Sequence, residues 1–172
     1  MTEVETIRKM MGAPAVFSGC RNYRYWLRRD LDMMNKKPLL WFMINPSLAT
    51  ESADDPTTRV VCNFALRWGF GIHAAVNGFA AITLNPKVMM AMDDPVGPDN
   101  DRYIKAAIQW CDDNGGRIIT AWGNPGTYRN RHLEIMEMLK GRKLLRLGVN
   151  KNGTPKFPYA IRKDVEPEEW RI

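Results

Sequence analysis

The sequence lacks the long apolar segments that mark membrane and secreted proteins. None of its apolar runs approaches the roughly 20 residues that a helix needs to span a bilayer. The first twelve residues, MTEVETIRKMMG, contain no apolar stretch like the central region of a signal peptide. These absences predict a cytoplasmic protein without a membrane partner.

Metal-binding groups are also scarce. The three cysteines, Cys20, Cys62 and Cys111, are far apart and form no C-x-x-C pair, and the only histidines are His73 and His132. This pattern argues against a disulfide framework, a zinc site or a histidine-rich metal centre. We therefore predict neither a metal nor a cofactor.

Familiar catalytic and phosphate-binding motifs are missing as well. The sequence contains no G-x-x-x-x-G-K-[ST] phosphate loop, no G-x-G-x-x-G after a strand and no G-x-S-x-G elbow. Neither histidine has a serine or cysteine partner at a recognisable spacing. Catalysis by a nucleophile–histidine pair is therefore unsupported.

What remains is an ordinary globular composition with an excess of positive charge. The 172 residues are 45% hydrophobic and 26% charged, with a formal net charge of +6. The length predicts one domain over residues 1–172, with an N-terminal extension at 1–20 and a C-terminal tail at 160–172. The charge favours a polyanionic partner, although a solvated charged face would explain the same residues equally well.

Residues 39–59 combine features of a ligand site. The run LLWFMI at 39–44 is wholly apolar, which is typical of a strand buried on both faces of a parallel sheet. Asn45 and Pro46 should end this strand and leave Asn45 at its carboxyl end, where open α/β sheets bind ligands. Farther on, Asp55 is placed to cap a helix that starts at Pro56.

Alternating strands and helices predict the fold class. Further buried strands are expected at 73–79, 117–121 and 143–149, and helices are expected at 57–68 and 128–139. The pattern predicts a three-layer α/β/α sandwich with a mostly parallel, four-stranded central sheet.

The segment 23–31 is interpreted differently, as an edge strand. It partly alternates aromatic or apolar side chains with basic ones, and basic residues are common on exposed edges. Alternation predicts that Arg24 and Arg28 share one face of this strand, with Tyr25 and Leu27 on the other.

Several polar residues are candidates for a site, each with a plainer alternative. An amide such as Asn45 can hold a water molecule or a base edge through its donor and acceptor groups, or it can merely cap a loop. Asp54 and Asp55 could bind a metal or act as a base, but their position beside Pro56 makes Asp55 better explained as a helix cap. Arg59 could pair with Asp55 or contact a phosphate. Asn77, at the end of the second buried strand, should face the same crevice.

A series of short motifs follows one order along the chain. They are Tyr23-Arg24-Tyr25-Trp26-Leu27, Met43-Ile44-Asn45-Pro46-Ser47, Asp54-Asp55-Pro56-Thr57, Trp68-Gly69-Phe70-Gly71, Val76-Asn77, Asp94-Pro95-Val96-Gly97-Pro98, Trp122-Gly123 and Lys151-Asn152-Gly153-Thr154-Pro155. In this order they closely resemble the domain of unknown function 1643 family of bacterial and phage proteins. The resemblance covers nearly the whole chain, from about residue 23 to 159, and depends on the series rather than on any one motif.

That family resembles a remote branch of the uracil-DNA glycosylase superfamily, which implies a uracil-DNA glycosylase-like fold. In that superfamily an Asp or Asn after the first strand positions the attacking water, and Asn45-Pro46-Ser47 is similar to the Asn-Pro form of this motif. A second motif carries a His-Pro that stabilises the departing base, and Phe157 stands at the place of that His. A phenyl ring cannot donate to an oxyanion, and losing one such donor costs about 10²–10³ in rate. The ring could instead stack on a base, which contributes roughly 1–3 kcal/mol.

The leading hypothesis is therefore a protein that binds or processes a nucleic-acid base or a nucleotide, with DNA a better candidate than RNA and ordinary uracil excision disfavoured. Asn45 and Asp54 would be catalytic. Substrate contacts would come from Pro46, Ser47, Asp55, Arg59, Asn77, Trp122, Lys156 and Phe157. Alternatives are a transferase of phage DNA hypermodification, which joins a small group such as an amino acid to an activated pyrimidine, and a non-catalytic nucleic-acid-binding module.

Overall fold

The computed structural model describes residues 2–159 and 161–172, which form one mixed β-sheet with helices against both faces. The strands are β1 (Ala15–Phe17), β2 (Arg24–Asp30), β3 (Pro38–Met43), β4 (Ile72–Asn77), β5 (Arg117–Thr120), β6 (Lys143–Arg146) and β7 (Glu168–Arg171). The helices are α1 (Glu3–Met10), α2 (Pro56–Arg67), α3 (Pro86–Met90), α4 (Asn100–Asp113) and α5 (Arg131–Leu139), and a 3-10 segment covers Asn124–Asn130.

The sheet is parallel at its centre and antiparallel at its flanks. The seven described strands lie in the order β1-β2-β4-β3-β5-β6-β7. β3 pairs in parallel with β4 and β5, and β5 pairs in parallel with β6. The pairs β1–β2, β2–β4 and β6–β7 are antiparallel. The predicted four-stranded sheet is therefore incomplete, because three further strands make it a seven-stranded mixed sheet.

Two of the extra strands come from the extension and the tail. β1 has only three residues, and three of the four residues of β7 are exposed, so neither strand shows an apolar run or an alternation that the sequence would reveal. β1 pairs along the outer side of β2, so the interpretation of residues 23–31 as an edge strand is wrong. The true edges are these two short strands, as is common in natural sheets.

Burial on both faces explains the unbroken apolar run of β3. All six residues of this strand are buried. Leu39, Trp41 and Met43 pack with α2 on one side of the sheet, which we call the α2 face. Leu40 and Phe42 pack with α4 on the other side, the α4 face. Successive residues thus enter different cores, and both cores favour apolar side chains because burying an unpaired polar group is costly.

A β-bulge at the start of β2 changes which face Arg24 meets. Val16 pairs with Trp26, and the next residue of β1, Phe17, pairs with Arg24, so Tyr25 is an extra residue in β2. Tyr25 and Trp26 consequently both join the core of the α4 face. The regular alternation is interrupted between them.

Arg24 and Arg28 therefore do not share a face, and that prediction is wrong. Arg24 lies on the α2 face, where its Nη1 donates to the carbonyl oxygen of Ala49 at 2.7 Å. Arg28 lies on the α4 face, where its Nη1 donates to the carbonyl of Met11 at 3.2 Å and its guanidinium lies over the ring of Trp110.

One edge of the sheet collects the chain segments that matter for a ligand. Because β3, β4, β5 and β6 are parallel, the loops that follow them open at one edge, which we call the carboxyl edge. β2 runs the opposite way, so its first residue also lies there, and the N–H of Arg24 donates to the carbonyl of Ala80 just after β4.

The last helix begins later than the sequence predicts. Arg129 and Asn130 have φ values of 52° and 57°, so the backbone bends and α5 starts only at Arg131. The bend is held by side chains, because the Tyr128 hydroxyl donates to the carbonyl of Met90 and Arg129 donates to the carbonyls of Met92 and Asp93, just after α3.

The predicted N-terminal extension begins with the helix α1. Thr2 caps it through a capping box with Glu5. Residue 1 lies outside the described residues. Among the described helices, none is long and apolar enough to cross a bilayer.

Candidate functional site

A cavity of about 620 Å³ opens at the carboxyl edge, within the size range of small-ligand sites. It is lined by Arg24, Met43, Ile44, Asn45, Ser47, Asp55, Thr57, Thr58, Thr83, Leu84, Pro86, Trp122, Gly123, Asn124, Pro125, Asn150, Lys156, Phe157, Tyr159 and Ile161. The strand order explains its position. After β3 the chain moves to β4 on one side of the sheet, and after β5 it moves to β6 on the other side. The two connections diverge, and a crevice opens between the ends of β3 and β5.

Asn45 enters this cavity directly after the central strand β3. Its Nδ2 donates to the carbonyl oxygens of Pro46 at 3.0 Å and of Thr83 at 2.8 Å. Because both partners are acceptors, the NH₂ group must face them and Oδ1 must face away. Oδ1 has no hydrogen-bond donor within residues 2–159 and 161–172, so it is the atom that Asn45 can offer to a ligand or a water molecule.

The same hydrogen bonds give Asn45 the plainer role as well. They tie the loop after β3 to the loop after β4, which is the loop-capping alternative weighed for this residue. The two roles use different atoms of one amide. The NH₂ group braces the loops, and the brace fixes the direction of the carbonyl oxygen.

Phe157 lines the same cavity from the segment that follows β6. The chain turns at 150–153, where the N–H of Asn150 donates to the carbonyl of Thr154 at 2.8 Å. Beyond the turn, the N–H of Gly123 donates to the carbonyl of Pro155 at 2.9 Å and holds the returning segment against the loop after β5. Phe157 is half-buried and packs against both cores, so the position of its ring is fixed at the cavity wall.

Trp122 and Gly123 form the wall next to Phe157. Trp122 is almost fully buried, and its Nε1 has no hydrogen-bond partner in the described part of the chain. Gly123 has φ 65° and ψ −172°, a backbone conformation essentially restricted to glycine. A Cβ on Gly123 would lie 3.4 Å from the Cβ of Phe157. A glycine here therefore allows the segment that carries Phe157 to approach closely.

Asp55 lies at the α2 end of the cavity and caps α2, as predicted. Its Oδ1 accepts from the N–H of Thr58 at 2.7 Å and its Oδ2 accepts from the N–H of Ala49 at 3.1 Å. Burial raises its pKa, but the hydrogen bonds from Thr58 and Ala49 and the charge of Arg24 outweigh burial, so the pKa lies below the ordinary Asp value. A carboxylate with a low pKa and both oxygens occupied is a poor general base at neutral pH.

Asp54 and Arg59 lie outside the cavity. The exposed Asp54 pairs with Arg29, whose Nε donates to Oδ1 at 2.7 Å. Arg59 is also exposed and donates to the backbone carbonyl of Asp54 at 3.2 Å. The structure therefore does not bring Asp54, the predicted base, next to Asn45.

Asn77 and Pro46 also fall outside the lining. Asn77 is buried at the end of β4 rather than at the rim where it was expected, and its carbonyl accepts from the Nδ2 of Asn100 at 3.0 Å. The carbonyl of Pro46 serves the loop brace, since it accepts from Asn45 and from the N–H of Thr83.

Six predicted site residues do line the cavity: Asn45, Ser47, Asp55, Trp122, Lys156 and Phe157. Sequence reasoning missed other polar lining residues, namely Arg24, Thr57, Thr58, Thr83, Asn124 and Asn150. Thr57 and Thr58 could have been found, since they follow the predicted cap in the first turn of a helix. The sequence does not indicate that the Arg24 side chain reaches the cavity, because the bulge in β2 decides which face of the sheet it meets.

Some positive charge around the cavity is not neutralised. Many arginines elsewhere form ion pairs, such as Arg142 with Asp112 and Arg146 with Glu168. By contrast, the ammonium groups of Lys87, Lys151 and Lys156 have no carboxylate partner among the described residues, and all three follow parallel strands at the carboxyl edge. No group of three or more His, Cys, Asp or Glu side chains in that part of the chain could hold a metal ion.

The fold and the site together define a mixed α/β protein with a ligand-sized cavity at the carboxyl edge of its parallel strands. Residues 24–159 match the family described as "Protein of unknown function (DUF1643)", and the chain belongs to that family. No curated protein and no solved structure matches the chain.

Proposed function

We propose that the protein binds a base of nucleic acid, DNA in preference to RNA, or a nucleotide in this cavity, and acts on it there. The observation that carries the proposal is that Asn45 and Phe157, which lie more than a hundred positions apart, line one cavity at the carboxyl edge. The proposal also includes a uracil-DNA glycosylase-like ancestry, on the resemblance of the ordered motifs.

The chemistry of the lining suits a base. A phenyl ring held at the wall can stack on any nucleobase, which contributes roughly 1–3 kcal/mol. The fixed Oδ1 of Asn45 can accept from the N–H edge of a base or hold a water molecule beside it. A base in a duplex would have to leave the stack to reach them, which costs a few kcal/mol and favours single-stranded or damaged substrates.

The same geometry argues against ordinary hydrolytic excision. Asp54 is engaged by Arg29 outside the cavity, and the oxygens of Asp55 accept two backbone N–H groups. Phe157 cannot stabilise a departing base anion. These three points favour either a non-hydrolytic reaction, such as transfer of a small group to a base, or binding without turnover.

Binding can be tested with fluorescein-labelled single-stranded and duplex oligonucleotides. The variant Phe157→Leu keeps an apolar side chain but cannot stack, so we expect single-strand affinity to fall by about tenfold. Phe17→Leu is the matched control, because Phe17 lies on β1 and is not among the cavity residues. Equal affinities of the two variants and the wild type would refute a base site at Phe157.

Turnover can be tested by mass spectrometry of nucleosides after incubation with unmodified and modified phage DNA. A free base would indicate excision, and a mass gain on a pyrimidine would indicate group transfer. Binding that depends on Phe157 without either product would assign a binding module. We place this activity in the cytoplasm, where intracellular DNA and nucleotides are found.

A further inference from the structure

Arg24 is a buried cation at the cavity wall that the proposed base site does not use. It is 3% exposed and lies at the α2 end of the lining, on the first residue of β2. Of its three guanidinium nitrogens, Nη1 has a partner, the carbonyl oxygen of Ala49 at 2.7 Å. Nε is buried with no hydrogen-bond partner within the described residues.

Burying the charge of Arg24 with an Nε that is unpaired in the described part of the chain lowers the stability of the protein when no ligand is bound. Burial lowers the pKa of Arg24 to about 10, the charge of Asp55 opposes that change and the charge of Arg29 adds to it. The group therefore stays protonated at neutral pH. A buried charge that lacks hydrogen bonds lowers stability unless something compensates it.

Asp55 supplies only part of that compensation. Its two carboxylate oxygens accept from the backbone N–H groups of Thr58 and Ala49, and no ion pair joins Asp55 to Arg24 among the described residues. The Ala49 contact braces the loop after β3, but it needs a single donor. A lysine or a neutral amide would be sufficient for that contact.

We propose that Arg24 binds an anionic group, a phosphate or a carboxylate, on the same ligand whose base lies against Phe157. Nε and Nη2 lie on one edge of a guanidinium, and this edge forms two parallel hydrogen bonds with such a group. The first turn of α2 adds the hydroxyl groups of Thr57 and Thr58, which line this end of the cavity, whereas the N–H of Thr58 is already taken by Asp55.

The sheet order separates the two ends of this ligand. Arg24 starts β2, Asn45 follows β3 and Phe157 follows β6, and these strands lie on one side, at the centre and on the other side of the sheet. The cavity would therefore hold a base at the Phe157 end and an anion at the Arg24 end, with the Asn45 amide between them. The inference rests on the proposed base site and specifies a ligand that is not neutral.

Four probes test this inference by calorimetric titration: deoxyuridine, deoxyuridine 5′-monophosphate, 5-carboxyuracil and inorganic phosphate. The first is a neutral nucleoside, the second places a phosphate on the sugar, the third places a carboxylate on the base, and the fourth is the anion alone. We expect the wild-type protein to bind one of the two charged base compounds about 10- to 100-fold more tightly than deoxyuridine. Which of the two is preferred identifies the source of the anion.

The variants are Arg24→Gln, Arg24→Lys and the control Arg28→Gln. Arg28 is on the same strand but on the opposite face of the sheet. Arg24→Gln should abolish the preference for the charged compound while deoxyuridine binding is unchanged, and Arg28→Gln should keep the preference. If Arg24→Gln does not fold, Arg24→Lys keeps the charge without the paired donors and should lower the preference by about tenfold.

The outcomes separate this inference from the proposed function. Deoxyuridine binding with no preference for either charged compound, or a preference that persists in the Arg24 variants, would overturn the anion site and leave the base site standing. Phosphate binding that needs Arg24, without binding of deoxyuridine, would support the anion site and remove the base site. Binding of none of the four probes would overturn the inference.

Discussion

At the scale of single residues, Asn45 shows how one amide can serve the fold and a ligand together. Its NH₂ group is committed to the carbonyls of Pro46 and Thr83, which lie on different loops. Removing a donor from two partly buried acceptors costs about 1–3 kcal/mol. A loss of function in an Asn45 variant can therefore be interpreted only when the stability of that variant is also measured.

We predict that Asn45→Asp destabilises the protein more than Asn45→Ala at neutral pH. The carboxylate keeps the size of the amide but faces carbonyl oxygens as an acceptor, whereas alanine only removes the donor. Urea unfolding of both variants measures this difference. Asn152→Asp is the matched control, because the Oδ1 of Asn152 accepts from Thr154, a role that a carboxylate can keep. If the Asn45→Asp variant is as stable as the wild type, the assigned orientation of the amide is refuted.

His73 gives a second residue-scale prediction, on pH. It lies fully buried in β4, neither ring nitrogen has a partner among the described residues, and burial, with the nearby charges of Arg29 and Arg24, lowers its pKa to about 3. The unfolded chain thus binds a proton that the folded protein does not. The contribution of neutral His73 to stability should be complete above the ordinary His pKa and should fall as the pH decreases from about 6.5 towards 3, by up to about 1.4 kcal/mol per pH unit.

His73→Leu should remove this dependence. We expect the free energy of unfolding of the variant to change much less than that of the wild type between about pH 6.5 and pH 4.5, since leucine cannot be protonated. Denaturant titrations at several pH values measure it. Parallel pH profiles for the two proteins would contradict the depressed pKa.

At the scale of elements, the long and uniform patterns were predictable and the short or irregular ones were not. The apolar run of β3 and the cap at Asp55 are visible in the sequence, because each depends on neighbouring residues. β1 depends on pairing with β2, and the bulge at Tyr25 depends on the register of that pair. The direction of Arg24 follows from the bulge, so strict alternation necessarily placed it on the wrong face.

The loop after β5 provides an element-scale prediction through Gly123→Ala. Alanine would strain the backbone at this φ and ψ and would bring a methyl group 3.4 Å from the Cβ of Phe157. We expect a loss of about 1–3 kcal/mol in stability together with weaker oligonucleotide binding. Gly153→Ala is the control, because Gly153 also has a positive φ but no atom lies within 4 Å of its added Cβ. It should lose stability while binding is retained, and equal loss of binding by both variants would show that strain alone is responsible.

At the scale of the whole molecule, the positions of the charges matter more than the net charge of +6. Lysines without carboxylate partners among the described residues occur at both ends of the parallel strands. Lys87 and Lys151 follow strands at the carboxyl edge, whereas Lys36 and Lys143 lie where β3 and β6 begin. A polyanion that enters the cavity should contact the first pair and not the second.

These two pairs of lysines permit a comparison of two variants that have the same net charge. The double variant Lys87→Glu/Lys151→Glu and the double variant Lys36→Glu/Lys143→Glu change the total charge by the same amount at opposite edges. If a single strand of DNA crosses the carboxyl edge, the first variant should bind more weakly. Its slope of log K against log salt should be shallower by about 0.7 for each phosphate that the protein no longer neutralises.

The second variant should keep the wild-type slope, because a change in the distant field alters affinity only weakly at physiological ionic strength, where charges are screened over about 8 Å. Equal losses of DNA affinity in the two variants would mean that DNA binds through the general positive field of the protein. That result would contradict the cavity as the nucleic-acid site.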